Sequence, residues 1–465
     1  MQPLSEILRP GAHVVVVGLG KSGVSAVRFL LELQVRISVS EGGRRENLEG
    51  DLVRWLKEKG VFVEIGGHTS ELFTSADCVL VSPGVPLDLP AIAAARQKGI
   101  PVIGELALAP EFLQTPVVAV TGTNGKSTVT TLIGELLAAG GMKVFVGGNI
   151  GVPLTDYLAG PQECEATVLE VSSFQLDSAG EFRPKVGVLL NITPDHLDRY
   201  PSAGAYAASK LSLFAHQQAG DVAVVNGDDP EIAAWLGQGA RAGAGEVQVY
   251  AARPGQGVRA HLEGSTVVLR QGAGEREIYE LGGTALQDAP NSENAMAAIL
   301  AARAMGCPVE AITIGLARFS PLAHRLALVK EINNIAYYDD SKATNVGAVC
   351  SALAGMRRPV VLIAGGRGKG GGYEALLPLL REKVRALVLI GEASNEIAAA
   401  CSGATRIERA KDMDDAVQRA TEAAQPGDAV LLSPACASFD MFRSYSHRGE
   451  VFQQAVSRLA AQEGC

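Results

Sequence analysis

Long apolar runs are missing from this 465-residue chain. No stretch approaches the ~20 residues a membrane-spanning helix needs, which argues against a membrane protein built of helices. A basic excess is missing as well. With 41 Lys and Arg against 50 Asp and Glu, the formal net charge is −9, the opposite of what a nucleic-acid backbone attracts. Any anion must therefore be held at a local site. Paired cysteines are absent too: seven are scattered from Cys78 to Cys465 with no metal-ligand spacing, as in a protein whose thiols stay reduced. The opening residues MQPLSEILRPGAH hold neither a basic leader nor an apolar signal core, so a cytoplasmic location is expected. There is no short-period repeat and no low-complexity tract.

What is present is a rhythm of short β-branched runs alternating with Ala/Leu-rich helical stretches, the signature of βαβ units and a mostly parallel sheet. It occurs in three blocks, so the expected fold is α/β with three domains. Pro and polar turns near Glu105 and Pro321 place the boundaries at 1–105, 106–321 and 322–465. The first block holds HVVVVGLG, VRISVS, CVLVSPGVP and PVIGE. The second runs from VVAVTG through KVFVGGN, ATVLEVSS, KVGVLLNIT and DVAVVNGDD. Between about Glu246 and Glu280 it changes character, and VQVY, VRAHLEG, STVVLRQ and REIYEL read as antiparallel hairpins. The third block holds PVVLIAGG, ALVLIGEAS and AVLLSPACASFDMF.

Two glycine-rich turns stand between a strand and a helix. Gly18, Gly20 and Gly23 give G-x-G-x-x-G, with Glu41 at the end of the next strand. This suits a pyrophosphate at a helix N-terminus, from NAD or from a UDP-sugar alike. The second turn, TGTNGKST, supplies Gly122, Thr123, Asn124, Gly125, Lys126, Ser127 and Thr128. In the usual G-x-x-x-x-G-K-[ST] loop the first glycine would fall at position 120, where this chain has Val120. The groups that do the chemistry remain. Lys126 offers a cation to β/γ-phosphates, Ser127 a hydroxyl to Mg²⁺, and the amides from Asn124 to Thr128 point at the phosphates.

Other candidates sit at strand ends, where open α/β sheets bind ligands. Glu170 follows ATVL and is placed to ligate a metal, although a helix cap would also use it. His196, between Asp195 and Asp198, is either functional or part of a solvated turn. Lys210, taken alone, reads as a surface lysine. In the last block YYDDSKATN groups Asp339, Asp340, Lys342 and Thr344; AGGRGKGGG supplies Arg367 and Lys369; LLSPACASFDMFRSY supplies Ser433, Ser438 and Tyr445. Three such loops on one sheet point to a second ligand site facing the nucleotide.

Taken together these motifs resemble the Mur ligase family of ATP-dependent amide-forming enzymes, whose characteristic loop TGTNGK[ST] stands here at Thr121 to Ser127. GLGKSG and SPGVP resemble its first domain; GNIGVP, LEVSSFQL and DHLDRY its second; DDSKATN, GGRGK and SPACASFD its third. The resemblance implies a Rossmann-like N-terminal domain for a UDP-substrate and a central P-loop-type ATP-binding domain with a small antiparallel subsheet. A Rossmann-like C-terminal domain for an amino acid would follow. DSKATN with the dinucleotide-type first domain further implies addition of D-glutamate to UDP-N-acetylmuramoyl-L-alanine through an acyl phosphate. The enzyme would be a cytoplasmic monomer of peptidoglycan precursor synthesis, with no nucleic-acid or membrane partner.

By the same resemblance Gly20, Lys21 and Ser22 bind the UDP part, with Asn149 and His196 on its remainder. Lys126 and Ser127 hold ATP phosphates; Asn291, Asn294, Arg325 and Asp340 contact ATP; Lys342 lies near the transferred phosphate. Two Mg²⁺ ions would be ligated by Ser127, Glu170, His196 and Lys210, the last as a carbamate. Thr344, Lys369, Ser438, the Phe439 backbone and Tyr445 would hold D-glutamate. The chain departs from the family at Pro290 (commonly His), Ala327 (commonly Glu) and Tyr445 (often Phe). Glu41-Gly42-Gly43 also lacks the usual hydroxyl and Arg of the uracil-contacting turn. An NAD-dependent dehydrogenase built on the first block would leave Lys126 and DSKATN without a role. A non-enzymatic nucleotide switch would bind nucleotide without amino-acid-dependent phosphate release.

Overall fold

The computed structural model describes residues 2–462 apart from 45, 47, 49, 197, 198, 240–242, 244, 273 and 369. Its strands fall into three sheets in chain order. The first contains β1 (His13–Val17), β2 (Arg36–Glu41), β3 (Phe62–Ile65), β4 (Cys78–Val81) and β5 (Val102–Ile103), arranged β3-β2-β1-β4-β5. Every pair in it is parallel, and the order matches the first five strands of the 3-2-1-4-5-6 dinucleotide-binding arrangement. β1 is buried along its whole length, because helices cover both faces of a parallel sheet and its strands are therefore apolar throughout.

The second sheet contains β6 (Val117–Thr121), β7 (Val144–Gly148), β8 (Ala166–Glu170), β9 (Val186–Leu189), β10 (Val222–Asn226), β11 (Glu246–Ala251), β12 (Val258–Glu263), β13 (Thr266–Gln271) and β14 (Glu275–Glu280). Their order is β14-β13-β12-β11-β10-β9-β6-β8-β7. Here the hairpin reading of VQVY needs correction. β11 pairs parallel with β10 and with β12, and only β12-β13-β14 is antiparallel. β12 begins opposite Val249, near the end of β11. The short connection therefore retraces only about three residues of rise, roughly 10 Å, and no long crossover is needed. The antiparallel strands extend the central sheet and do not form a separate one.

The third sheet contains β15 (Ala327–Ile332), β16 (Ile335–Asp339), β17 (Val360–Gly365), β18 (Val384–Ile390), β19 (Arg406–Arg409) and β20 (Ala429–Leu432), ordered β15-β16-β20-β17-β18-β19. It is parallel except for β15. The strands with the weakest apolar signal, β3, β15 and β19, are edges whose residues are largely exposed or half-buried.

Each sheet puts its loop at a place where neighbouring strands diverge. β1 lies between β2 and β4, β6 between β8 and β9, and β20 between β16 and β17. At such points the chain leaves in opposite directions and opens a crevice at the carboxyl ends. One apolar core runs continuously from the first sheet into one face of the central sheet, including Val14, Leu108, Ala119, Leu169 and Phe214. Polar contacts extend this join: Ser25 meets Thr155 at 2.6 Å, and Lys21 reaches the carbonyl of Gly151.

Two glycines of GLGKSG, Gly20 and Gly23, carry different demands. A Cβ at Gly23 would lie 1.9 Å from the Gly18 carbonyl oxygen, whereas at Gly20, with φ −67°, nothing lies within 4 Å. Gly23→Ala is expected to destabilise the fold by about 3 kcal/mol, and Gly20→Ala to leave its melting temperature unchanged. Equal melting of the two variants would contradict this packing.

Candidate active site

Val120 poses no obstacle to the phosphate loop because β6 continues through Thr121, and a buried valine fits that strand. The turn follows, and the helix Lys126–Ala139 starts behind it. Gly125 sits at φ 83°, and a Cβ there would lie 2.6 Å from Asn294 Oδ1, so this turn requires glycine. The loop is pinned from β9: the Asn124 amide donates to Asn191 Oδ1 at 2.8 Å and the Thr123 amide to the Asn191 carbonyl at 3.0 Å. The expectation that Asn124 N–H faces phosphate is thereby corrected, since Asn191 already takes it. The amides of Lys126, Ser127 and Thr128 open the helix without an intrahelical acceptor, which is the usual anion-binding arrangement.

Cations crowd this loop. Lys126 Nζ donates to the carbonyls of Gly122 (2.9 Å) and Thr123 (2.8 Å). Lys210 Nζ donates to the same Gly122 oxygen at 2.9 Å and lies 4.5 Å from the centre of the Tyr206 ring. It is 1% exposed, so the surface-lysine alternative fails. Burial, reinforced by Lys126, pushes the Lys210 amine well below the usual lysine range. Burial also lowers Lys126, with Glu170 pulling the other way. Arg325 Nη2 donates to Ser127 Oγ at 2.5 Å from across the domain seam.

Glu170 ends β8 and is buried. One of its oxygens accepts from Ser127 Oγ at 2.5 Å and the other from Asn149 Nδ2 at 2.7 Å. Asn149 thus points at the carboxylate. His196 adopts φ 56°, packs 4.9 Å from the Phe174 ring and 6.3 Å from Tyr206. Lys210 and His196 thus both neighbour Tyr206.

A cleft lies between the central and third sheets. Asn124, Asn291, Asn294, Arg325, Asp340 and Lys342 line it, with Leu190, Tyr250, Pro290, Leu326 and Ala352 as apolar walls. It joins the residues expected from sequence to contact ATP. Asp340 accepts from Ser433 Oγ at 2.9 Å and from the Leu326 amide at 3.2 Å. Burial nevertheless raises its carboxyl to about 7, against the opposing pull of Ser433 and Arg325. Lys342 Nζ lies 3.8 Å from the Tyr445 ring centre. Burial is the largest single influence on the Tyr445 phenol and would raise it, but the Lys342 charge, hydrogen bonds with Ser446 and Lys342, and the Arg325 charge together bring the net shift downward.

The three loops of the third sheet do converge. Ala435 N–H donates to the Ala343 carbonyl at 2.9 Å, and Arg367 exchanges backbone hydrogen bonds with Ala437. Thr344, Ser438 and Phe439 lie on these loops outside the cleft lining; Ser438 is buried and Phe439 is 66% exposed. Lys369 lies outside the described residues. In the first domain Gly20 caps the helix Lys21–Glu32, so Lys21 and Ser22 form its first turn. Glu41 accepts from the amides of Leu19 and Gly43, both at 2.6 Å, bracing the glycine turn.

Sequence reasoning missed several residues. Arg448, fully buried, donates to Ser341 Oγ, to the Ser341 carbonyl and to the Cys436 carbonyl, clamping two loops of the third sheet. Arg199 donates to the carbonyls of Gly84 and Val85 in the first domain. Asn345 reaches Asn124 and Asp195. Arg199 and Asn345 stand in DHLDRY and DDSKATN, but those motifs do not say which distant groups the side chains meet, and Arg448 lies in no quoted motif.

Comparison with known proteins decides what this geometry belongs to. Family models match in the same order: the Mur ligase MurD-like N-terminal domain over residues 12–104, the Mur ligase middle domain over 120–302, and the Mur ligase glutamate ligase domain over 324–436. The chain belongs to the Mur ligase family. A relative from Syntrophotalea carbinolica, named UDP-N-acetylmuramoylalanine–D-glutamate ligase, is 44% identical, with 97% of this chain and 98% of the relative covered. One of the same name from Desulfosudis oleivorans is 45% identical, with 96% of each covered. Among solved structures, UDP-N-acetylmuramate-alanine ligase from Thermotoga maritima superposes with a TM-score of 0.58 at 17% identity, covering 97% of this chain and all of that one. The MurF ligase of the same organism, in complex with ADP, gives 0.59 at 17%, covering 98% and 97%. These two establish a shared fold. As a Mur ligase, this chain is an ATP-dependent enzyme that forms a peptide bond in peptidoglycan precursor synthesis.

The Mur ligase site also fits Mg²⁺. Among the described residues no three His, Cys, Asp or Glu side chains form a metal cage. Ser127 and Glu170 instead offer hard oxygen donors beside the phosphate loop, and Thr121 Oγ1, at the end of β6, is buried without a hydrogen-bond partner. That suits an ion that keeps waters and takes phosphate oxygens as ligands.

Asp340 yields a prediction with a definite sign. Its folded-state value near 7 lies above the unfolded value of about 3.9. Its contribution to stability therefore falls as pH rises from about 4 to 7, and the penalty is complete above that. Asp340→Asn should be neutral near pH 4, stabilise by about 2 kcal/mol at pH 8, and lower ATP-dependent turnover. Denaturant melts at the two pH values check it.

Proposed function

We propose that this Mur ligase adds D-glutamate to UDP-N-acetylmuramoyl-L-alanine, acting as a cytoplasmic monomer with residues 1–105, 106–321 and 322–465 as its three domains. The shared name of the relatives supports the choice of substrates. The observation that carries the reading is the meeting of Arg325 and Lys342 around one cleft that opens on the phosphate loop at Asn124 and Gly125, with the amino-acid loops of the third sheet joined beside it. A polyanionic nucleotide and a second anion are what such a set of cations would hold.

The chemistry follows from the groups available. A carboxylate oxygen is a poor leaving group, so the substrate carboxylate first attacks the γ-phosphorus of ATP, and the bond to the β-phosphate oxygen breaks to release ADP. The amine of D-glutamate, once deprotonated, then attacks the acyl carbon of the resulting acyl phosphate and phosphate departs. Lys126 and Lys342 offset the charge that accumulates when one anion attacks another. Asn291, Asn294, Arg325 and Asp340 position ATP. Gly20, Lys21 and Ser22 take the UDP, with Asn149 and His196 toward its sugar and peptide. Thr344, Lys369, Ser438, the Phe439 backbone and Tyr445 orient D-glutamate. Two Mg²⁺ ions, held by Ser127, Glu170, His196 and carbamylated Lys210, would neutralise phosphate oxygens. Closure of the third domain on the central one excludes water from the acyl phosphate.

Phosphate release by the purified protein should require ATP, Mg²⁺, UDP-N-acetylmuramoyl-L-alanine and D-glutamate together. L-glutamate, lysine and diaminopimelate should be far slower; equal rates with L-glutamate would sink the assignment.

The carbamate rests on the environment of Lys210. CO₂ adds only to a neutral amine, and burial beside Lys126 favours that form. The product is an anion where a second cation would repel Mg²⁺. Lys210→Ala should be nearly inactive, and acetate or formate should restore part of the rate by filling the vacated space. Full activity of Lys210→Ala without added acid would reduce the lysine to a structural role.

A further inference from the structure

Asn345 belongs to the third domain, yet its side chain ends in the central one. It caps the helix Val346–Gly355, its Oδ1 accepting from the Ala348 amide at 2.8 Å. That cap fixes which way the amide faces. The Nδ2 end is turned toward the central domain and donates to Asn124 Oδ1 at 3.1 Å and to Asp195 Oδ2 at 3.2 Å. Both hydrogens of the amide are thereby used. Asp195 can only accept, so its partner agrees with the orientation the cap imposes.

The two acceptors are not equivalent. Asn124 lies in the phosphate loop, where Asn191 holds its amide and its carbonyl. Asp195 turns its other oxygen to the backbone N–H of His196 at 2.9 Å, at a residue kept in the left-handed region, where a non-glycine side chain needs support. One carboxamide thus joins the amino-acid-binding domain to the phosphate loop and to the turn that presents His196. Close packing at the same seam supports this docking: a Cβ on Gly347 would lie 2.8 Å from Thr193 Oγ1.

We propose that Asn345 is a positioning residue that couples docking of the third domain to the alignment of the phosphate loop and His196. The assignment rests on the ligase reading above. It acts through Asn124 and Asp195 and touches no substrate.

Asn345→Asp separates this role from folding. Aspartate caps a helix as well as asparagine does, so the melting temperature should stay within about 2 °C of the parent. The new carboxylate, however, faces two acceptors in place of donating to them. D-glutamate-dependent phosphate release should fall about tenfold in kcat, with the KM for ATP within about twofold. In an Asp195→Asn background the same substitution should cost less than about threefold, because the amide introduced at 195 can donate to the carboxylate introduced at 345. Equal losses in the two backgrounds, or no loss in the parent background, overturn the proposal. The D-glutamate requirement of the parent protein is read first, so failure of the ligase reading would show there and not in the cycle.

Discussion

Lys126 and Lys210 donate to one oxygen, the carbonyl of Gly122, and Arg325 donates to Ser127 a few residues farther on. Glu170 is the buried carboxylate nearest to all of this, and its two oxygens are occupied by Ser127 and Asn149. Two ammonium groups on one carbonyl, away from water, cannot both carry charge comfortably. Burial lowers both amines against the pull of Glu170 and Asp195, so the pair is relieved when one lysine is neutral or a polyanion arrives. Much of the surrounding architecture can be understood as serving that demand. The phosphate loop is held open by Asn191, Glu170 is sequestered at the end of β8, and Asp340 is kept in a setting that disfavours its own ionisation.

Three sheets are needed because each supplies one crevice. In an open α/β sheet the ligand position is set by strand order, and here β1, β6 and β20 each lie where the chain diverges. The third sheet brings three functional loops to one end, through the backbone exchange of Arg367 with Ala437 and the Ala435–Ala343 bond. Arg448 then ties Ser341 to Cys436 from behind. The loops are thus fixed by main-chain contacts together with side chains such as Arg448, Ser341 and Ser433.

The parts legible in the sequence were those whose cause is local. TGTNGKST announces itself because a turn, a cation and a hydroxyl must follow one another within a few residues, and buried parallel strands read as unbroken apolar runs. Edge strands β3 and β15 escaped because exposure removes that apolar signal. The β11 pairing was misjudged because residue alternation does not reveal strand direction. Burial of Lys210 was equally invisible: its partner carbonyl is 88 residues away, and a helix of small residues gives no hint of what covers it. Asn345 reaches partners 221 and 150 residues distant, a relation only the folded chain creates.

The continuous apolar core between the first sheet and the central one has a mechanical consequence. Its contacts run from Leu4 to Ile232 without a break, whereas the apolar clusters of the third domain stay within its own residues. Across the second seam the described contacts include polar pairs, Arg325 with Ser127, Asn345 with Asn124 and Arg357 with Asp288, each contributing only about 1 kcal/mol. The molecule is therefore a two-part hinge, a heavy arm of two fused domains and a light arm latched by exchangeable hydrogen bonds. Binding energy of the size a nucleotide supplies is enough to work that latch, and too small to pry the heavy arm apart.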